Sequence, residues 1–143
     1  MSKRYHLSSW RRTVNRIVRL LLRFGVGPPR TYVLTVPRRK TGRLYSTPVT
    51  LVEEDGRRWL VAPYGEVGWV RHARAAGYVM LSRGSRSERV SIAELGPDES
   101  AAVLKRYVTQ VPITRPFFDA KPEAPAAAFV AEAHRHPVFR ISL

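Results

Sequence analysis

The chain has 143 residues, 44% of them hydrophobic, no cysteine and a formal net charge of +14. That length predicts one domain, residues 1–143, with a real core and no room for a second. The missing thiols exclude a disulfide framework, a thiolate metal centre and a cysteine nucleophile, and they fit a reducing, cytoplasmic compartment.

Residues 8–25 are predicted to form a helix. Trp10, Val14, Ile17, Leu21 and Phe24 recur at spacings of three and four, so they share one side, and Val18 and Leu22 widen that stripe. Ser8 or Ser9 can cap the start, and Gly25 with Gly27-Pro28-Pro29 supplies the stop. Arg11, Arg12, Arg16, Arg19 and Arg23 lie mostly off the stripe. Two readings stay open: an ordinary helix packed on its own domain, or a basic amphipathic anchor peripheral to an anionic membrane surface. The apolar run is interrupted by Arg19 and Arg23 and is too short to span a bilayer, and no signal-peptide cleavage pattern is visible.

After Pro29 the pattern changes to β-branched and aromatic runs at residues 31–36, 46–53 and 57–62, the composition of half-buried strands. Asp55-Gly56 marks a tight hairpin between the last two. Residues 68–77 read as a short helix ended by Gly77, and residues 78–83 and 88–95 as a second hairpin around Gly84-Ser85. Pro97 with Asp98 and Glu99 starts a helix to about Val108, since proline suits the first turn and acids suit its dipole. A proline-punctuated loop, an alanine-rich helix up to His136 and a strand from Val138 complete the order. Six short strands with tight connections predict an α+β fold: a small, mainly antiparallel barrel or strongly bent sheet with flanking helices. A doubly wound parallel sheet is excluded, because residues 31–62 leave no space for crossover helices.

Charge is concentrated where chemistry is hardest to see. Residues 1–52 hold 12 Lys and Arg with no acid, whereas residues 53–143 hold 13 basic and 11 acidic side chains. Such a one-sided field attracts polyanions: nucleic acid, headgroups, or a phosphorylated or polycarboxylate small molecule. Its centre is the turn PRRKTGRLYSTP at residues 37–48, where Arg38, Arg39, Lys40 and Arg43 surround Gly42. Gly42 lets the backbone turn so that amide donors and cations converge on one anion, phosphate or carboxylate; a merely solvated charged turn is the competing reading. Lys40-Thr41-Gly42 lacks the S-x-x-K and S-D-N elements of penicillin-binding enzymes, and the P-loop spacing is absent too. His134 and His136 have no cysteine or carboxylate pair to complete a metal site, so no metal is expected. A polynucleotide would want aromatic platforms among the charges, and only Tyr32 and Tyr45 flank the turn.

The stretch TVPRRKTGRLYSTPVTLVEEDGRRWLVAPYGEVGWVRHARAAG, with HPVFRI much later, resembles the actinobacterial deazaflavin-dependent oxidoreductases, also called the nitroreductase family. That family's pattern is approximately T-x-G-R-K-[ST]-G-x-x-R-x-x-P, an acidic hairpin, a strand ending in A-S-x-G-G, then x-W-x-x-N-L. The resemblance implies a split β-barrel and coenzyme F420, an 8-hydroxy-5-deazaflavin carrying a phosphate and an oligoglutamate tail, in preference to FMN. It maps Arg39, Lys40, Thr41 and Gly42 onto the anion-holding turn, with Pro48 as its downstream companion. It maps Ala62, Pro63, Tyr64 and Gly65 onto the loop that approaches the coenzyme, and Trp69 onto the tryptophan of the next helix. Arg38 replaces a glycine, Tyr45 an arginine and His72 an asparagine of the pattern, and the coenzyme loop is shorter, which marks a small, divergent member.

The resemblance further implies an enzyme: hydride passes from reduced F420 to a quinone, an unsaturated lipid-like compound or a nitro-type acceptor, and the protein orients the two and excludes water. Tyr64 or Tyr107 is the candidate catalytic proton donor, against the plainer reading that each is structural. A homodimer is an expected assembly. The rivals are a non-catalytic lipid- or cofactor-binding barrel and a small basic nucleic-acid-binding protein, the latter disfavoured by the lack of aromatic platforms.

Overall fold

In the chain's computed structural model, the described residues are Arg16, residues 30–66 and residues 68–142. The predicted helix at 8–25 lies outside them, apart from Arg16, which is helical and exposed.

The strands are β1 (Thr31–Pro37), β2 (Leu44–Glu54), β3 (Arg57–Val61), β4 (Tyr78–Arg83), β5 (Arg86–Glu94) and β6 (Val138–Ser142). They close into a barrel in the order β1-β2-β3-β6-β5-β4, with every pairing antiparallel. This is the α+β barrel expected from the strand count and turn spacing. Helix α1 (Gly68–Ala76) connects β3 to β4, and α2 (Pro97–Gln110) and α3 (Ala126–Glu132) lie between β5 and β6. Short 3-10 segments cover Pro112–Phe117 and Ala133–Arg135.

Alternation along the strands fills the barrel. Leu34, Val36, Val49, Leu51, Leu60, Val79, Leu81, Val90 and Phe139 are buried together, and α1 adds Trp69, Val70 and Ala73 from one of its faces. On the opposite face of the strands, Val52, Val61 and Val138 pack against Ala101, Leu104, Tyr107 and Val108 of α2 and Phe129 of α3. This second core explains the apolar doublets Leu51-Val52, Leu60-Val61 and Val138-Phe139: strands covered on both faces lose their polar positions.

The hairpin turns follow local backbone chemistry. Asp55 and Gly56 both take positive φ, 51° and 77°, as a two-residue turn matched to strand twist requires. β2 and β5 each begin two residues earlier than expected, at Leu44 and Arg86, because pairing runs right up to their turns: Pro37 faces Leu44 and Arg83 faces Arg86. The proline-punctuated loop contains the 3-10 segment, with Pro112 in its first turn and Pro116 inside it. Among the described residues no helix is long and apolar enough to cross a membrane.

Candidate functional site

Residues 38–43 join β1 to β2 through a turn fixed by its own backbone. The Arg38 N–H donates to the Arg43 carbonyl at 2.8 Å and the Gly42 N–H to the Arg38 carbonyl at 2.9 Å. The Arg43 N–H donates to Thr41 Oγ1 at 3.2 Å. Gly42 sits at φ +75° with open space where a Cβ would stand, so the backbone angle, not crowding, demands glycine. Arg38, Arg39, Lys40 and Arg43 are exposed. Among the described residues, the ion pairs fall elsewhere and include none of these four cations. The Arg38 guanidinium instead lies 5.0 Å from the centre of the Tyr45 ring.

The turn leans on α1. The Arg39 N–H donates to His72 Nδ1 at 3.1 Å, which requires a lone pair on Nδ1 and places the hydrogen of the neutral ring on Nε2. Burial, then the neighbouring Arg38 and Arg39 charges, hold His72 below the usual histidine range. The Tyr45 and His72 rings are 5.9 Å apart, and a Cβ on Gly68 would come within 2.9 Å of the Tyr45 hydroxyl oxygen. Tyr45, Gly68 and His72 therefore form the wall behind the cationic turn. In the sequence, Tyr45 registers as an aromatic flanking the turn, His72 as a lone candidate general acid or a structural histidine, and both as departures from a family pattern. They lie 27 positions apart in the chain, beyond the reach of periodicity.

The other candidate residues occupy distinct surroundings. Pro48 lies on β2 opposite Val33. Leu51 donates its N–H to Arg30 across β1, so alternation turns the Pro48 nitrogen to the other edge, where β3 has stopped at Val61 and no partner is forfeited. Ala62 is fully buried, and Pro63 and Tyr64 begin the loop out of β3. Gly65 is at φ +88° and donates to the Ala62 carbonyl at 3.3 Å. Tyr64 is half-buried, its ring edge-on to Phe117 at 4.7 Å. Trp69 is a core residue, its ring 5.8 Å from that of Phe139. Tyr107 is buried in the outer core, and burial pushes its phenol well above the usual range. Thus Arg39–Gly42 meet Tyr45, Gly68 and His72 at one end of β2, whereas Tyr107 belongs to the packing of α2.

The sequence matches the family described as F420H(2)-dependent quinone reductase over residues 2–117. None of the curated proteins compared with it matches. Among solved structures, an F420-H2 dependent reductase superposes with a TM-score of 0.56 at 23% identity, covering 82% of this chain and 97% of that one. A domain-swapped dimer gives 0.56 at 20% identity, covering 93% and 96% of the two chains. A NimC/NimA family protein from Clostridium acetobutylicum gives 0.52 at 12% identity, covering 89% and 80%. At such identities these structures establish a shared fold. The family match spans the cationic turn, the loop after β3 and α1, and on that ground the chain belongs to the F420H2-dependent quinone reductase family.

Proposed function

We propose that the protein reduces a quinone with reduced F420, and that its cationic turn grips the coenzyme's phosphate and glutamate tail. The observation that carries this reading is the set Arg38, Arg39, Lys40 and Arg43, exposed around one fixed turn with no carboxylate partner among the described residues. Guanidinium and ammonium groups left in that state suit a ligand bearing several negative charges. FMN, with one phosphate, would leave most of that charge unmatched. When bound, the deazaflavin supplies a hydride. The chain's own tasks are to hold the anionic end at Arg39–Gly42, to seat the ring against Ala62–Gly65, and to exclude water. Trp69 serves by seating α1 in the barrel. Pro48 keeps the adjoining edge of β2 free of a ladder donor.

Of the two tyrosines, Tyr64 is the better proton donor to the reduced acceptor, because its residue is half-exposed while Tyr107 is buried in the outer core. Unsaturated lipid-like and nitro compounds share the electron-poor character of a quinone and are the secondary acceptors of this reading. It also takes the chain as one cytoplasmic domain. Assembly as a homodimer is supported by the domain-swapped dimer among its structural neighbours. Residues 8–25 would supply any peripheral membrane contact.

Anaerobic mixing of the protein with reduced F420 and, separately, a quinone, an enone and a nitroarene tests the proposal. Return of the oxidised coenzyme's absorbance should be fastest with the quinone. Tight coenzyme binding without turnover of any acceptor would favour a non-catalytic carrier instead.

A further inference from the structure

The structure contains a buried acid–base pair that none of the chemistry above employs. Glu132 and His136 are 3% and 2% exposed. Glu132 Oε1 accepts the Asp119 N–H at 3.0 Å and lies 2.8 Å from His136 Nε2, while Oε2 accepts the Ala120 N–H at 2.6 Å. His136 Nδ1 is 2.8 Å from the carbonyl oxygen of Pro63, 73 residues earlier in the chain. The imidazole is stacked on Phe118, with centroids 3.8 Å apart and planes 20° apart. The charged neighbours are Arg135, whose Nη2 is 3.6 Å from Glu132 Oε1, and Asp119, which pairs with the same guanidinium at 2.6 Å.

Hydrogen-bond chemistry then fixes the protons. A carbonyl oxygen only accepts, so Nδ1 must carry a hydrogen. Nε2 faces a carboxylate oxygen, and without a proton between them a buried lone pair would oppose a buried carboxylate. The pair therefore keeps one proton between Nε2 and Oε1, and Nδ1–H is committed to Pro63.

The same segment holds the loop after β3 at one further point and passes close to it at another. The Ala62 N–H donates to the Pro137 carbonyl at 2.8 Å, and a Cβ on Gly65 would stand 3.4 Å from the Arg135 carbonyl oxygen. Within itself the loop makes the 3.3 Å Gly65-to-Ala62 backbone bond, and the contacts with residues 135–137 brace it from outside.

We propose that His136 is a positioning residue for the Ala62–Gly65 loop, with Glu132 fixing its ring, so that the surface offered to the coenzyme is set by a hydrogen bond from the far end of the chain. The inference rests on the coenzyme reading for its catalytic consequence, and on the Pro63 bond alone for its structural one.

Two variants separate the ends of the ring. Asparagine places its amide nitrogen near the Nδ1 position, and glutamine near Nε2. In coenzyme-free protein, His136→Gln should speed amide exchange at Gly65 about tenfold, the worth of one lost hydrogen bond, while His136→Asn stays near wild type. With reduced F420, kcat/KM should fall by a similar factor in His136→Gln and recover in His136→Asn, although both variants melt below wild type. Equal exchange and equal kinetics in the two variants would overturn the proposal. So would a wild-type imidazole whose 15N spectrum shows no hydrogen on Nδ1, a measurement that needs no variant to fold. Failure of the wild type to bind F420 would sink the functional reading while leaving the exchange data to decide the loop anchor.

Discussion

Replacing Arg39 and Lys40 together with alanine removes two of the turn's four cations, none of which has a carboxylate partner among the described residues, while leaving the turn's scaffold intact. The hydrogen bonds of the turn run between backbone groups and Thr41 Oγ1, and the link to His72 uses the Arg39 N–H, which alanine keeps. Both side chains are exposed, so each contact with an anionic tail in water is worth about 0.2–1 kcal/mol. The pair is then worth about 0.5–2 kcal/mol, a weakening of F420 binding by roughly 2- to 30-fold. Fluorescence titration of the coenzyme measures this directly. Salt supplies the second axis: the screening length shrinks from about 10 Å at 0.1 M to about 3 Å at 1 M. Wild-type affinity should fall over that range, and the double variant's should fall less. The deazaflavin ring without its phosphate and glutamates should bind both proteins alike. An unchanged Kd at low salt, or an equal loss for the tail-free ring, would refute the assignment of the turn to the tail.

Three further outcomes follow from the geometry. Gly68→Ala pushes a methyl group against the Tyr45 ring and should cost about 1–3 kcal/mol by thermal melting, with part of that recovered in the Tyr45→Phe background; additive losses would show that the two do not touch. Tyr107→Phe removes a hydroxyl buried in the outer core and should lower stability by about 1 kcal/mol with kcat unchanged, whereas Tyr64→Phe should lower kcat with little change in melting; the reverse pattern would exchange their roles. The His72 pKa is depressed in the fold, so its bond from the Arg39 N–H is fully present above the ordinary value of about 6.5 and is lost as pH falls through the lower folded value. The Arg39 amide resonance followed between pH 7.5 and 5 should move only below that ordinary value, and movement above it would contradict the assignment.

Local chemistry made most of the barrel legible before any coordinates. Asp55-Gly56 announces its hairpin, and the β-branched and aromatic runs around Leu51 and Leu60 announce strands, although only the structure explains why both residues of the doublets Leu51-Val52 and Leu60-Val61 are apolar. What stayed hidden depends on distant pairing. Closure joins β1 to β4 and β3 to β6, and no run of residues encodes which edges meet. The site shows the same division. Gly42 and the cations around it are readable because the turn is local. Tyr45, Gly68 and His72 become its wall only through the packing of α1, and the four-residue spacing of Glu132 and His136 gives no hint that Pro63 is their third partner.

The placement of the acids sharpens the case for an anionic ligand. Glu66 and Glu94 hold Arg74, Glu88 holds Arg58, Glu54 holds Arg106, and Asp119 with Glu132 faces Arg135. All of these pairs lie after residue 52, in the part of the chain where basic and acidic side chains nearly balance. That part neutralises itself at short range. The first 52 residues have no acid of their own, and the acids nearest in sequence are already engaged or sit across the barrel at the other end of β2, where Glu53 and Glu54 face Arg58 and Arg57. Charge at the β1–β2 turn is thus left for something other than the described fold to satisfy, and the proposed redox coenzyme with its polyanionic tail would satisfy it at the end of the barrel where α1 and the loop from β3 begin.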